Sequence, residues 1–390
     1  MASDSEYRTG LFALGIELDG QDLHPDAWRS RVHAAENAGF TFATIDDSLQ
    51  PPGPGSARLD ASVRAGFVAA TTSTLGLVPV IAPTYAEPFH ISSQLATLDY
   101  ASRGRAGWLA TNDPAAASTW GATPRTTEPE LRRERVDAIE AARRLWDSWE
   151  DDAVIRDYAA GKFLDRDKLH HIDFIGETFS VKGPAIVPRP PQGQVVVFGY
   201  GTAESEGIDV ALVSGPTVAA VITAASAARA AGIPRVLVDI DVTLDTATTA
   251  RQRHGHRTAG TTGLEPAALL PDAATGLEPA PLLPDAATDL EYGNGPTSPV
   301  TAAEPESTGR LAFSGTPSDL VALLTELAPV ADGVRLHPAQ LDEDLPILAR
   351  YVLPALLRTG LAHRPVPGST LRENLGLARP VNRYAKEFAR

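Results

Sequence analysis

The sequence predicts an α/β fold in which eight parallel strands close into a (β/α)8 barrel. Three observations support it: short apolar runs recur along the 390 residues, a segment of helical character follows most of them, and the runs are too continuous for half-exposed strands. Such alternation indicates parallel strands joined by helical crossovers. Eight strands favour closure into a barrel, which can reach this length as one unit, over a doubly wound open sheet, which is the alternative.

The elements follow one another in a regular order. Gly39 comes directly after the first predicted helix, and glycine is a common stop signal there. The predicted strands are 11–16, 41–45, 75–81, 106–110, 195–198, 210–213, 235–240 and 333–336. The predicted helices are 26–38, 60–70, 88–100, 128–147, 217–231, 318–327 and 343–358.

Two segments are predicted as insertions, after strands four and seven, within one domain that spans residues 1–390. Residues 146–191 contain no convincing barrel strand. Residues 246–308 are rich in Ala, Pro, Thr and Gly, and GLEPAALLPDAAT at 263–275 is followed by GLEPAPLLPDAAT at 276–288. Two copies are too few for a solenoid, so we predict a low-complexity, mobile surface loop.

Composition excludes several classes of function. The formal net charge of −15 argues against a nucleic-acid partner and against binding to anionic membranes. No apolar stretch is long enough to span a bilayer and the first residues carry no signal peptide, so we expect a cytoplasmic protein. There is no cysteine, and neither His170-His171 nor the pair His254 and His256 has a third ligand at useful spacing, so no metal site is expected.

Three stretches of this sequence resemble luciferase-like flavin-dependent monooxygenases. The first is LGLVPVIAPTYAEPFHISSQLATLDYASRGRAGW at 75–108. The second runs from LWDSWEDDAV to IVPRPPQG at 145–193, and the third is TLRENLGLARPVNRY at 370–384. Within that family the resemblance is to the branch of nitrilotriacetate and dibenzothiophene-sulfone monooxygenases.

The resemblance implies an enzyme that oxidises a small organic substrate with O2 and FMN. The reduced FMN would come from a separate flavin reductase, and barrels of this family commonly pair, so a homo-oligomer is expected. The cofactor would carry the oxygen chemistry while the protein holds it and excludes water. Two alternatives stay open: a barrel without flavin that acts as a binding or structural protein, and an oxidoreductase that uses a deazaflavin.

The same resemblance implies which residues surround the flavin ring. Asp47, Thr84, Tyr85 and Asn112 follow the second, third and fourth strands, where barrel enzymes place their sites. Tyr85 and His90 are the catalytic candidates. The structural alternatives are a loop carboxylate or helix cap for Asp47, a turn for the Thr-Tyr pair, and a structural histidine.

Three further residues are implied as ligands of the FMN phosphate: Arg132, Gly201 and Thr202. Arg132 stands where the family has a tyrosine, and a solvent-exposed helix charge is the alternative. The chain departs from the family pattern at Asp113, where a hydroxyl is usual, and at Tyr200, where glycine is expected.

Overall fold

The structure is a computed structural model that describes residues 12–18, 23–47, 57–201, 206–245 and 309–385. These residues belong to one compact unit, which is formed by the parts of the chain on both sides of residues 246–307. The predicted low-complexity insertion at 246–308, with its repeat, lies outside the described residues.

Eight parallel strands form a closed barrel, so the predicted fold class is confirmed. The strands are β1 (Ala13–Glu17), β2 (Phe42–Ile45), β3 (Gly76–Ile81), β4 (Gly107–Ala110), β5 (Val196–Tyr200), β6 (Val210–Val213), β7 (Arg235–Leu244) and β8 (Gly333–Pro338). Their order is β6-β5-β4-β3-β2-β1-β8-β7, and the pairing of β6 with β7 closes the ring.

Helices cover the outside of the barrel. They are α1 (Pro25–Ala38), α2 (Ala61–Ala69), α3 (Pro88–Ala101), α4 (Glu128–Asp147), α5 (Val218–Ala230), α6 (Pro317–Leu327), α7 (Leu341–Ile347) and α8 (Leu353–Arg358). Their first turns are stabilised by side-chain caps: Asp60 accepts a hydrogen bond from the N–H of Val63, and Thr127 with Glu130 forms a capping box.

The last predicted helix, 343–358, is broken into three pieces. A π-helical turn at Leu348–Val352 separates α7 from α8, with Pro346 inside α7 and Pro354 in the first turn of α8. Proline has no N–H to donate to the preceding turn and its ring crowds that turn, so a regular α-helix cannot run through both positions.

The segment at 146–191 adds no strand to the barrel sheet. It forms two small antiparallel hairpins instead, Val154–Asp157 with Lys162–Leu164 and Phe174–Ile175 with Ser180–Val181. A further strand, Leu311–Gly315, pairs with the end of β7 and was not predicted. None of the helices in the described ranges combines the length and apolar character that a membrane crossing requires.

A buried carboxylate joins the segments that lead into β4 and β5. Asp99, at the end of α3, accepts hydrogen bonds from the N–H of Ala106 (3.1 Å) and from the N–H and side-chain amide of Gln192 (3.3 and 2.7 Å). Burial raises the pKa of Asp99 to about 7, although these donors act in the opposite direction. The fold therefore binds a proton here that the unfolded chain releases near pH 4.

Asp99→Asn should remove a pH dependence of stability. Because the pKa is raised in the folded state, the stabilisation by Asp99 is complete below about pH 4 and is lost as the pH rises towards 7. Each pH unit corresponds to about 1.4 kcal/mol. Between pH 5 and pH 8, the free energy of unfolding of the variant should therefore rise by about 2–3 kcal/mol relative to that of wild type. Urea unfolding at both pH values measures this. Asp173→Asn, at an exposed position, is the control, and a constant difference would contradict the assignment.

Candidate active site at the barrel mouth

The strand register brings polar side chains together inside the barrel, at the carboxyl end of its strands. Glu17 on β1 is level with Thr44 on β2 and contacts His337 on the other neighbour, β8. One inward position deeper, Arg335 on β8 is level with Gly15 on β1 and with Asp239 on β7.

Five inward-facing side chains on these four strands form the polar wall: Glu17, Thr44, Asp239, Arg335 and His337. The carboxyl ends of barrel strands are where barrel enzymes place their active sites.

Arg335 and Asp239 form the buried base of the polar wall. The Nε and Nη2 atoms of Arg335 lie 2.7 and 2.6 Å from the two carboxylate oxygens of Asp239, and both side chains are almost completely buried. This bidentate geometry is the strongest form of an arginine–carboxylate ion pair. Burial opposes ionisation of Asp239, but the Arg335 guanidinium outweighs it and holds the pKa of Asp239 well below its usual range.

His337 lies between two carboxylates. Its Nδ1 contacts Glu17 Oε2, and its Nε2 is 3.4 Å from Asp239 Oδ1 without a well-directed hydrogen bond. Burial lowers the pKa of His337, but the contacts with Asp239 and Glu17 outweigh burial, so the pKa is raised. Burial alone would raise the pKa of Glu17, but the contact with His337 outweighs burial, so the pKa of Glu17 is lowered. The pair therefore favours an ionised carboxylate beside an imidazolium.

The opposite side of the lumen is apolar. Val80 on β3, Leu109 on β4, Phe198 on β5 and Val210 on β6 are level with one another in the strand register and are buried. The Phe198 ring packs on Phe42 with a centroid distance of 5.0 Å, which fills the barrel below the polar wall. The lumen therefore has a charged side, formed by β1, β2, β7 and β8, and an apolar side, formed by β3 to β6.

Thr84 and Asn112, two of the predicted flavin-ring residues, lie at neighbouring strand ends. Thr84, just beyond β3, is buried, and its Oγ1 accepts a hydrogen bond from the N–H of Asp113 at 3.2 Å. Asn112, just beyond β4, buries its Oδ1 without a hydrogen-bond partner in the described part of the chain. A buried polar atom of this kind costs stability until a ligand or water pairs with it.

Tyr85 adopts a strained backbone conformation beside a buried acid. Its φ of +63° is in the left-handed region, which non-glycine residues rarely adopt, and its N–H donates to Glu134 Oε1 at 3.1 Å. The Tyr85 hydroxyl accepts from the N–H of Arg125 at 2.6 Å, and the Arg125 guanidinium lies over the ring. Burial raises the pKa of Glu134 despite Arg125, which pairs with it at 2.9 Å.

Asp47 and His90 lie at the first turns of helices. Asp47 follows β2, and its Oδ2 accepts the N–H of Ala61, the first residue of α2, at 2.7 Å. His90 is exposed in the first turn of α3, where its N–H donates to the capping Glu87. Their flavin-binding and catalytic roles stay predictions.

The predicted phosphate residues are spread around the loop after β5. Arg132 on α4 pairs with Glu206 of that loop at 3.2 Å, so Arg132 lies beside the loop. The N–H of Gly201 donates to the carbonyl of Leu212 at 2.8 Å, so the sheet uses that amide and a phosphate cannot. A Cβ at Gly201 would lie 2.7 Å from Val213, so close packing against Val213 explains why this residue is glycine. Thr202 lies outside the described residues.

Tyr200, the residue that departs from the family pattern, faces the polar wall. It is the last residue of β5, is 47% exposed, and its hydroxyl lies 3.5 Å from Nη2 of Arg335. The guanidinium carbon is 5.8 Å from the centroid of the Tyr200 ring, a distance typical of a cation–π contact. Tyr200 thus reaches across the mouth from the apolar side of the lumen to Arg335.

The sequence predictions missed the polar wall. A signal was available, because Asp239 and Asp241 in one strand, and Arg335 and His337 in another, stand two residues apart within apolar runs. Residues two apart on a strand lie on the same face, so the two members of each pair share one face of their strand. Within the described ranges, no three histidine or carboxylate side chains come together as metal ligands.

Comparison with known proteins identifies the family. The model of the family described as luciferase-like monooxygenase matches residues 11–328. The chain belongs to the luciferase-like monooxygenase family. The expected monooxygenase, an oxidoreductase, is thereby confirmed.

Two curated members of the luciferase-like monooxygenases illustrate the likeness. The N-acetyl-S-(2-succino)cysteine monooxygenase of Bacillus subtilis (strain 168) is 30% identical, over 96% of this chain and 98% of that protein. Nitrilotriacetate monooxygenase component A of Aminobacter aminovorans is 28% identical, over 82% of this chain and 79% of its own.

Solved structures show the same fold. EDTA monooxygenase from Chelativorans sp. BNC1 superimposes with a TM-score of 0.68 at 22% identity, over 94% of this chain and 98% of that one. Riboflavin lyase, solved with modified FMN and riboflavin, gives a TM-score of 0.72 at 20% identity, over 94% and 95% of the two chains.

Glu17→Gln should destabilise this luciferase-like monooxygenase more at pH 6 than at pH 9. The raised pKa of His337 means that the stabilisation by its imidazolium is complete below about pH 6.5 and is lost as the pH rises through the folded-state pKa. We expect the loss of unfolding free energy to be about 1 kcal/mol larger at pH 6. Urea unfolding at the two pH values tests this, with the exposed Glu326→Gln as control. Equal losses would show that His337 is not held by Glu17.

Proposed function

We propose that this chain is the oxygenase component of a two-component system that oxidises a small organic substrate with O2 and reduced FMN. The reduced FMN would be supplied by a separate flavin reductase. Reduced FMN, when bound, supplies the electrons that activate O2. The protein contributes binding, orientation and exclusion of water.

The observation that carries the proposal is the unpaired Oδ1 of Asn112. It is buried at the carboxyl end of β4 and has no partner in the described ranges, next to the Thr84–Asp113 contact between the ends of β3 and β4. A flavin ring carries a ring N–H that can donate to such an oxygen. Cofactor sites hold a few placed polar groups of this kind in mostly apolar surroundings.

The remaining rim residues support the same arrangement. Asp47, Thr84, Tyr85 and Asn112 follow three adjacent strands, β2, β3 and β4, so they lie on one arc of the mouth. The strained Tyr85 peptide is fixed by the buried Glu134, which gives that side of the arc a defined shape before any ligand arrives.

The phosphate would bind at the far end of this arc. Arg132, beside the loop after β5, supplies a guanidinium suited to two-pronged phosphate contacts. Glu206 pairs with Arg132 in the structure and would have to release it. Thr202 stays part of the proposal, whereas the N–H of Gly201 already donates to the carbonyl of Leu212 and is left out of it.

Flavin titration with a matched variant pair tests the proposal. Purified protein should bind reduced FMN, and Asn112→Ala should weaken binding about tenfold, because it removes a buried hydrogen bond. Asn37→Ala, at an exposed position on α1, should leave the affinity unchanged. Anaerobic fluorescence or calorimetric titration with oxidised and reduced FMN measures the affinities.

The outcomes separate the alternatives. Absence of binding to either redox state of FMN at millimolar concentration would remove the proposal and favour a barrel without flavin. Tighter binding of a deazaflavin in a parallel titration would favour hydride transfer over oxygenation. Oxygen consumption that requires an added flavin reductase would support the two-component form.

Self-association is part of the proposal, since α2 presents an apolar face. Val63 and Phe67 are 67% and 50% exposed, beside a groove of about 380 Å³ that Leu59 and Trp28 also line. Exposed apolar patches of this kind often mark interfaces between proteins. We assign this face to a second copy of the chain.

Phe67→Glu should convert the expected oligomer into a monomer, because a carboxylate would be buried without a partner at the interface. Size-exclusion chromatography with light scattering measures the mass. Ile186→Glu, at an even more exposed apolar position outside this groove, should leave the mass unchanged. A monomeric wild type, or an oligomeric Phe67→Glu variant, would exclude this interface.

A further inference from the structure

We propose that Glu17 is a substrate-contacting residue of the barrel mouth, and that it takes a group which donates hydrogen bonds, such as a hydroxyl, an amide N–H or an ammonium. A carboxylate is disfavoured in the same place. The word substrate rests on the proposed function; the binding preference does not.

Glu17 is the most accessible charged member of the polar wall. Its side chain is 26% exposed, whereas those of Asp239, Arg335 and His337 are 1%, 2% and 8% exposed. It occupies the last position of β1 and faces inward, so it lies at the opening rather than in the packed interior. A ligand that enters the mouth therefore meets the carboxylate of Glu17 before the groups behind it.

Glu17 retains capacity to accept hydrogen bonds. A carboxylate offers about four lone-pair sites, and His337 uses one oxygen, Oε2. The imidazolium on that oxygen favours the ionised form of Glu17, and an ionised carboxylate only accepts hydrogen bonds. The complementary group on a ligand is therefore a donor.

A second observation in the same row also indicates an absent ligand or water. Thr44 is level with Glu17 on the neighbouring strand, faces inward and is completely buried. Its Oγ1 has no hydrogen-bond partner among the described residues. Native proteins rarely leave a buried hydroxyl unpaired, so a polar group is expected between this hydroxyl and the mouth.

The charges of the polar wall cancel in pairs, which argues against an anionic ligand. Arg335 is committed to Asp239, and His337 to Glu17. Arg310, nearby, pairs with Asp241 at 2.8 Å. A carboxylate at this place would lose its hydration beside these acids without gaining a cation of its own.

Tyr200 suggests what lies next to the donor group. Its half-exposed ring borders the mouth on the side opposite β1, and its hydroxyl is directed towards Arg335. An aromatic face beside a carboxylate suits a molecule with a hydrogen-bonding end and an apolar body.

Three probes with the same six-carbon length test this selectivity: hexanamide, hexylamine and hexanoate. Binding to the flavin-free protein is followed by nitrogen-15 NMR with labelled histidine, with His337 as the reporter beside Glu17 and the other eight histidines as internal references. Because a net charge of −15 attracts any cation and repels any anion, the decisive comparison is between Glu17→Gln and Glu326→Gln, which each remove one carboxylate and leave the same net charge.

We expect hexanamide and hexylamine to shift the His337 resonances and hexanoate to bind at least about fivefold more weakly. Glu17→Gln should weaken hexylamine about tenfold, and Glu326→Gln should not. Hexanoate binding as tightly as hexanamide, unchanged hexylamine binding in Glu17→Gln, or no shift of His337 with any probe would each overturn the proposal. Since no flavin is present, these results are separate from those of the FMN titration.

Discussion

The pairing of Arg335 with Asp239 is the interaction on which the barrel mouth depends. Both side chains lie in the lumen with almost no exposure, where an unpaired charge would cost several kcal/mol. The parallel register of β7 and β8 makes the two residues level, so the pair forms without distortion of either strand. Asp239 then also faces His337, and His337 contacts Glu17. The four charges form one chain, and removal of any member leaves a neighbour uncompensated.

Much of the fold could be predicted from local sequence. The predicted bounds of β6 and of α4 coincide with those of the structure, because apolar runs and helical periodicity are local signals. β7 extends four residues beyond its predicted end at Ile240, since its end pairs with Leu311–Gly315. That partner lies about 70 residues away along the chain, and the sequence of β7 alone does not indicate which segment pairs with its end.

The candidate site divides in the same way. Thr84 and Tyr85 lie in the stretch at 75–108 that resembles the family, and Asn112 follows it directly after the fourth predicted strand, so their places at strand ends could be predicted. The polar wall depends on a contact between Glu17 and His337, which are at opposite ends of the chain. A single charge in an apolar strand is ambiguous by itself; only the barrel register shows that its partners face it.

The two halves of the mouth differ in how they are built, and their proposed roles differ in the same way. The arc of the mouth proposed to bind flavin consists of residues beyond the ends of β2, β3 and β4, whereas the polar wall consists of residues within β1, β2, β7 and β8. Side chains on strands are held by the hydrogen bonds of the barrel and need no ligand to order them. With these proposed roles, selectivity at Glu17 would change by substitution within a strand, while the loops that would hold the cofactor stay the same.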